Sequence, residues 1–256
     1  MCATYPRVAA IQWSPPLQLR LSRHVREPTV PVLQLPSLPA ANSKHFAAKQ
    51  EWGNLPGAAL SLAIAEAATA AKRFTLLLTA DSQSADRLEQ ELGFFAPELS
   101  VLPFPDWETL PYDQFSPHQD IISQRIASLY RLPELSHGVL VVPITTALHR
   151  LAPTRFLLGT SLVLDVGQKL NVEQMRTRLE STGYRCVDTV YEHGEFTVRG
   201  ALIDLFPMGS ELPYRIDLFD DEIETLRTFD PETQRSIDKV ESIRLLPARE
   251  FPLDKK

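Results

Sequence analysis

Gly53 and Gly57 stand just ahead of an alanine-rich run, in WGNLPGAAL. An α/β nucleotide-binding protein keeps its phosphate loop in such a place. A working loop reads GxxxxGK[ST], where the lysine holds the β- and γ-phosphates and the hydroxyl holds magnesium. Here the residues after Gly57 are Ala58 and Ala59. A helix N-terminus still attracts an anion weakly, but the main electrostatic parts for nucleotide hydrolysis are missing. The segment reads as an ordinary helix-start turn, and no nucleotide cofactor is expected at Gly53 and Gly57.

Other residue sets with chemical potential are weaker. Asp217, Asp220, Asp221, Glu222 and Glu224 crowd one stretch, and strand alternation would send Asp220, Glu222 and Glu224 to one face, where a hard cation could take several carboxylates. No nearby histidine completes such a set, and hairpin tips are commonly acidic and solvated, so no metal is expected. His118, His137, His149 and His193 share no ligand spacing, and Cys186 has no adjacent general base. A nucleophilic or metal-dependent enzyme is therefore not expected, and no residue is assigned a catalytic role.

Composition narrows the class further. With 256 residues, 44% of them hydrophobic and 23% charged, the chain sits at the globular average. Its strongest apolar runs, FTLLLT and GVLVVP, fall far short of the 18 or more residues of a membrane span. Two cysteines, Cys2 and Cys186, build no disulfide framework and suit a reducing, cytoplasmic setting. Residues 1–45 hold five basic side chains and one acid, leaving 21 basic and 31 acidic residues in the remainder. A body that acidic is poorly suited to gripping nucleic-acid phosphates unaided. The same 45 residues carry seven of the 21 prolines and no sustained period, which predicts an extended, disordered leader.

The elements that must position any site begin near residue 53. Gly57–Lys72 predicts a helix running into a strand at Phe74–Thr79, which reads as buried on both faces. Asp81 or Ser82 caps a second helix ending near Gly93. VLPF is a second strand, Gln119–Leu132 an amphipathic helix, Gly138–Pro143 a third buried strand, and Thr145 or Thr146 leads a short helix to Leu151. Helix-then-strand repetition implies a mainly parallel sheet covered by helices, an α/β domain. After Pro153 the pattern changes. A strand at Ser161–Val166 and a helix from Asn171 to Gly183 precede short strands at Val187–Tyr191, Glu195–Arg199, Ala201–Phe206, Tyr214–Phe219, Glu222–Phe229 and Lys239–Leu246, with turn residues between them. Residues 157–246 read as a separate, mostly antiparallel α+β module.

Two long phrases carry a resemblance: FPDWETLPYDQFSPHQDIISQRIASLYRL at Phe104–Leu132, and EHGEFTVRGALIDLFPMGSELPYRIDLFDDEIETLRTFDPETQRS at Glu192–Ser236. They resemble the N-terminal region of the bacterial transcription-repair coupling factor family, Mfd. More loosely they resemble UvrB, through DWETLPYD, RGALIDLFP and the acidic DDEIE hairpin. The resemblance covers roughly residues 48–256. It implies a degenerate, helicase-like α/β domain at 46–156, a UvrA-binding domain at 157–246, and the start of a segment returning to the first domain at 247–256. The chain departs from UvrB in lacking the phosphate-loop lysine. Only Gln114–Ile122 separate YD from SQR, too short a stretch for the DNA-probing hairpin that UvrB places there.

By the same resemblance, the positions matching the family's UvrA contacts are Arg199 in TVRG, Arg215 in LPYR and Phe219 in DLF. Alternation places Arg215, Asp217 and Phe219 on one strand face, and arginine with an aromatic ring is the usual composition of an interface hot spot. The competing explanation is an arginine paired to Asp217 or Asp204 beside a half-buried core phenylalanine. The resemblance implies a non-catalytic UvrB mimic that binds UvrA and brings nucleotide-excision repair to stalled RNA polymerase. RNA polymerase and DNA would be engaged by regions beyond residue 256. The alternative is the NTP-dependent DNA helicase or translocase activity of the intact family.

Overall fold

The structure, a computed structural model, describes residues 51–109 and 114–252, so the leader expected at residues 1–45 lies outside them. Helix α1 (Ala59–Ala71) occupies the alanine run. Alanine gives up no side-chain entropy in a helix, and α1 starts without a side-chain cap on Ala58. It stops where Lys72 turns left-handed, at φ 47°, and leads into strand β1 (Phe74–Thr79). The Asp81 side chain caps α2 (Ser82–Phe95), accepting from the Ser84 amide at 2.7 Å. That bond holds its carboxyl below the ordinary range. Strand β2 (Val101–Pro103), helix α3 (Gln119–Arg131), a 3-10 turn (Leu132–Glu134), strand β3 (Gly138–Pro143) and helix α4 (Ile144–Ala147) complete the first part.

These strands form a parallel sheet in the order β1-β3-β2. Every residue of the central β3 is buried, as its unbroken apolar run predicts. FTLLLT departs from expectation: β1 is an edge strand, and Phe74, Leu76 and Leu78 are exposed. Helices α1 and α2 cover one sheet face, where Ile64, Leu88 and Leu92 pack with Val139 and Val141. On the other face, Ile126 and Leu129 of α3 reach Leu102, Leu140 and Val142, but the matching positions on β1 stay open. Gly138, at φ 139°, leads β3 past the Ser100 carbonyl, and a Cβ there would meet that oxygen at 2.5 Å. Only glycine fits this crossing.

The second part runs through α5 (Thr154–Thr160), β4 (Leu162–Asp165) and α6 (Val172–Ser181), which Asn171 caps by accepting from the Gln174 amide. Strands β5 (Arg185–Cys186), β6 (Glu195–Arg199), β7 (Leu202–Leu205), β8 (Tyr214–Phe219), β9 (Glu222–Phe229) and β10 (Ser236–Val240) follow. They make one six-stranded sheet in the order β10-β9-β8-β7-β6-β5, antiparallel except where β5 meets β6. Strand β11 (Ser242–Leu245) pairs with β4 in a separate ribbon. Two expectations are corrected. The strand read at Lys239–Leu246 is two strands in different sheets, divided at Glu241. Val187–Tyr191 is not a strand; Val187 and Val190 fold over Phe206 and Phe229 and close a small apolar cluster.

Ile203, Ile216 and Leu226 on the inner sheet face join Met175 and Leu179 of α6, and the same core continues to Ile126 of α3. A buried polar centre spans the two parts. Arg125 of α3 is 0% exposed and donates from Nε and Nη2 to the two carboxylate oxygens of Glu250 at 2.9 and 3.0 Å. Its Nη1 donates to the Pro105 carbonyl, and the guanidinium lies 4.1 Å from the Phe104 ring centre and 4.6 Å from that of Trp107. Trp107 Nε1 donates to Glu250 at 3.1 Å, and its ring stacks on that of His149 and meets the Phe251 ring edge-on. Burial raises the neighbouring Asp106 carboxyl, but bonds from the Thr145 hydroxyl, the Glu108 amide and the Thr146 hydroxyl outweigh it and leave that group below its ordinary range. Asp106 and Trp107 of DWE are thus held by α3, α4 and the chain's last described turn.

Candidate docking face

In an antiparallel sheet, paired residues on neighbouring strands point the same way. The register therefore places Thr197, Asp204, Arg215, Arg227 and Lys239 in one row across β6 to β10 on the sheet's outer face. Arg199, Leu202, Asp217 and Thr225 form the next row. A bulge between Asp217 and Leu218 shifts the register before the tip, yet Ile216 and Leu218 remain buried while Arg215, Asp217 and Phe219 share the opposite side.

Asp204 is the electrostatic centre of this face. Its side chain is 1% exposed and receives Arg215 through a fork, Nε to Oδ1 at 2.8 Å and Nη2 to Oδ2 at 3.0 Å, while Arg199 Nη2 also donates to Oδ2. Arg215 donates from Nη1 to the Gln234 carbonyl and the Ser236 hydroxyl, and its guanidinium lies 4.9 Å from the Phe229 ring centre. Hydrogen bonding to Asp204 raises the Arg215 pKa above its ordinary value. The two arginines differ in what they leave for solvent: the Arg215 side chain is 16% exposed and that of Arg199 is 50%. Asp217 accepts from the Thr225 hydroxyl at 2.8 Å and lies 3.7 Å from Arg227 Nη2. Arg227 Nε is buried with no hydrogen-bond partner among the described residues.

Phe219 is 74% exposed. It ends β8 at a two-residue turn in which Asp220 takes φ 60°, a conformation aspartate tolerates better than most side chains. The segment after β4 braces that turn. Gly167 and Leu170 donate backbone bonds to Ile223 and Asp221, Ile223 donates to Gln168, and Lys169 Nζ sits 3.0 Å from the Asp221 carboxylate. The expected half-buried alternative for Phe219 does not describe it, whereas the alternative of arginines paired to Asp204 describes both Arg199 and Arg215.

The remaining candidates are placed elsewhere. Gly53 and Gly57 lie in the irregular segment before α1, with Gly57 at φ 56° and open space beside both α-carbons. The acidic stretch does not converge: Asp217 turns to Thr225 and Arg227, Asp221 to Lys169, and no group of three or more metal-ligating side chains occurs among the described residues. His193 joins the two parts, its Nδ1 at 2.7 Å from Asp120, its Nε2 at 2.8 Å from the Ser210 carbonyl and its ring against Phe206. Residue spacing gave no sign of that bridge, nor of Gln234 and Phe229 beneath Arg215. No described helix is long and apolar enough to cross a membrane.

Residues 162–251, which contain the whole of this face, match the UvrB interaction domain. The chain thus carries a domain of that class. Over 203 residues, 79% of its length, it is 54% identical to the transcription-repair-coupling factor of Escherichia coli (strain K12). It is 49% identical over 204 residues to that of Haemophilus influenzae, and 36% identical over 201 residues to that of Staphylococcus aureus (strain USA300). The chain matches the transcription-repair-coupling factor family across that stretch, as the phrases around Trp107 and Arg199 imply, and it spans only 17–18% of the length of these relatives.

Proposed function

We propose that this chain is a non-catalytic module that binds UvrA through the outer face of its six-stranded sheet and so brings nucleotide-excision repair to stalled RNA polymerase. One observation carries the reading. A large apolar ring, Phe219, stands exposed on a braced hairpin tip, on the same face as Arg199 and Arg215 and within the stretch matched to the UvrB interaction domain. Phe94 and Phe115 are as exposed, but Phe219 alone of the three shares its face with Arg199 and Arg215, and an arginine–aromatic pair on a preorganised surface is what interface anchors are made of. In this reading residues 157–246 form the docking domain, residues 46–156 a helicase-derived α/β domain without its phosphate-loop lysine, and residues 247–256 the start of the return to it. RNA polymerase and DNA would be engaged by other parts of the relatives' length.

Two experiments test the reading. Immobilised full chain is expected to capture UvrA, and UvrB is expected to displace it, because a mimic must use the same docking site; simultaneous binding of both at that site would overturn the mimicry. The chain is also expected to turn over no ATP, with or without DNA, because Ala58 and Ala59 supply neither ammonium nor hydroxyl. Turnover above a blank that disappears on changing Gly57 would refute this.

A further inference from the structure

The two arginines on this face are unequal as donors, and the reason is a carboxylate that no partner could reach. A guanidinium carries five N–H groups in a planar fork. Arg215 commits four of them, one from Nε and one from Nη2 to Asp204 and two from Nη1 to Gln234 and Ser236. Arg199 commits one, from Nη2 to Asp204, so four stay available on a half-exposed side chain. Asp204 itself is sealed, its side chain 1% exposed and both oxygens occupied by the two guanidinium groups. One buried negative charge thus holds two positive charges in adjacent rows, while Asp217, in the row of Arg199, turns to Thr225 and Arg227.

We infer that Asp204 is the positioning residue of the docking face: it fixes Arg199 as the main outward donor, with Arg215 holding the carboxylate from its other side, to meet a partner carboxylate beside an apolar pocket that takes Phe219. The inference rests on the docking function proposed above and adds to it the chemistry of the surface that UvrA must present. A half-exposed arginine loses side-chain entropy when it docks. Tying Nη2 to a buried carboxylate removes much of that loss in advance. The planar fork of Arg215 orients the carboxylate for that tie, since a lysine in its place would keep the charge but could not fill both Asp204 oxygens and the Gln234 carbonyl together. Arg227 and Lys239 continue the row at the next two strands, so the cations of the two rows outnumber the carboxylates Asp204 and Asp217, which suits an acidic partner surface.

The test uses the whole chain and UvrA. Asp204→Asn keeps the shape and removes the charge; affinity for UvrA is expected to fall about tenfold or more, and the Arg199 Nη–H signals in a nitrogen–proton correlation spectrum should move to the position of a free arginine. Arg215→Lys should lower affinity by a similar factor with the net charge unchanged, which keeps the question open to measurement if the asparagine variant melts too low to assay. In an Arg199→Ala background Arg215→Lys should add little, because a positioning effect has nothing left to position. Wild-type affinity in Arg215→Lys, or full additivity of the two changes, would overturn the positioning role. Failure of the parent chain itself to bind UvrA would instead remove the docking function, so the two failures are distinguishable.

Discussion

Changing Glu250 to alanine should cost about 3–5 kcal/mol of folding stability, because it leaves a guanidinium that is 0% exposed without its counter-charge. Total stabilities of domains this size run at roughly 5–15 kcal/mol, so the variant is expected to unfold at far lower urea. The comparison that gives the figure meaning is Arg176 with Glu180, an exposed pair one helical turn apart; its removal should cost well under about 1 kcal/mol. Glu250 also accepts from Trp107, and Arg125 separates the Phe104 and Trp107 rings, so losing the carboxylate loosens the contact between α3 and the chain's last described turn. Replacing the pair together, Arg125→Met with Glu250→Leu, should restore much of the loss, since an apolar pair of similar volume carries no desolvation penalty. Urea titrations of the three variants decide it. A Glu250→Ala loss no larger than that of the exposed pair would contradict the account.

Phe219→Ala should do the reverse, leaving the fold intact and weakening docking. A ring already 74% exposed contributes little to the core, so melting should barely change. Burying such a side chain against a partner is worth about 1.5–3 kcal/mol, and a loss near 2 kcal/mol corresponds to a roughly thirtyfold weaker complex with UvrA. Arg199→Ala should fall in the same range, by removing charge-assisted donors and leaving the partner's carboxylate unpaired. Arg215→Ala is expected to lower both binding and melting, since it also releases the buried Asp204. Measuring the two quantities side by side separates a contact from a brace.

Much of this architecture is legible from residue order, and the failures have physical causes. GVLVVP and FTLLLT look alike as apolar runs, and both are strands, but burial on two faces depends on which neighbours a strand acquires. β3 took the sheet centre and β1 an edge. The alternation in Val187–Tyr191 serves a lid over Phe206 and Phe229, because period two marks side chains that face inward and outward whether or not a ladder forms. Lys239–Leu246 reads as one strand because nothing in its composition marks Glu241 as the point where the chain leaves one sheet for another.

The candidate site follows the same logic. Alternation places Arg215, Asp217 and Phe219 together, and the bulge after Asp217 leaves that arrangement standing. What spacing along one strand does not convey is the cross-strand register that sets Asp204 opposite Arg215, or the brace from residues 167–170 that holds Phe219 outward. Arg125 shows the limit most sharply. Its place among isoleucines on an amphipathic helix is plain, whereas its partner lies 125 residues away, beyond the reach of any local pattern.

Calorimetric titration of UvrA with the full chain, set beside the same titration with Arg199→Ala/Phe219→Ala, bears most directly on the docking face. Saturable binding by the parent chain is expected, with loss of that binding in the double variant and a melting temperature lowered only slightly, since the Arg215 fork still holds Asp204. Equal affinities for the two proteins would contradict the account.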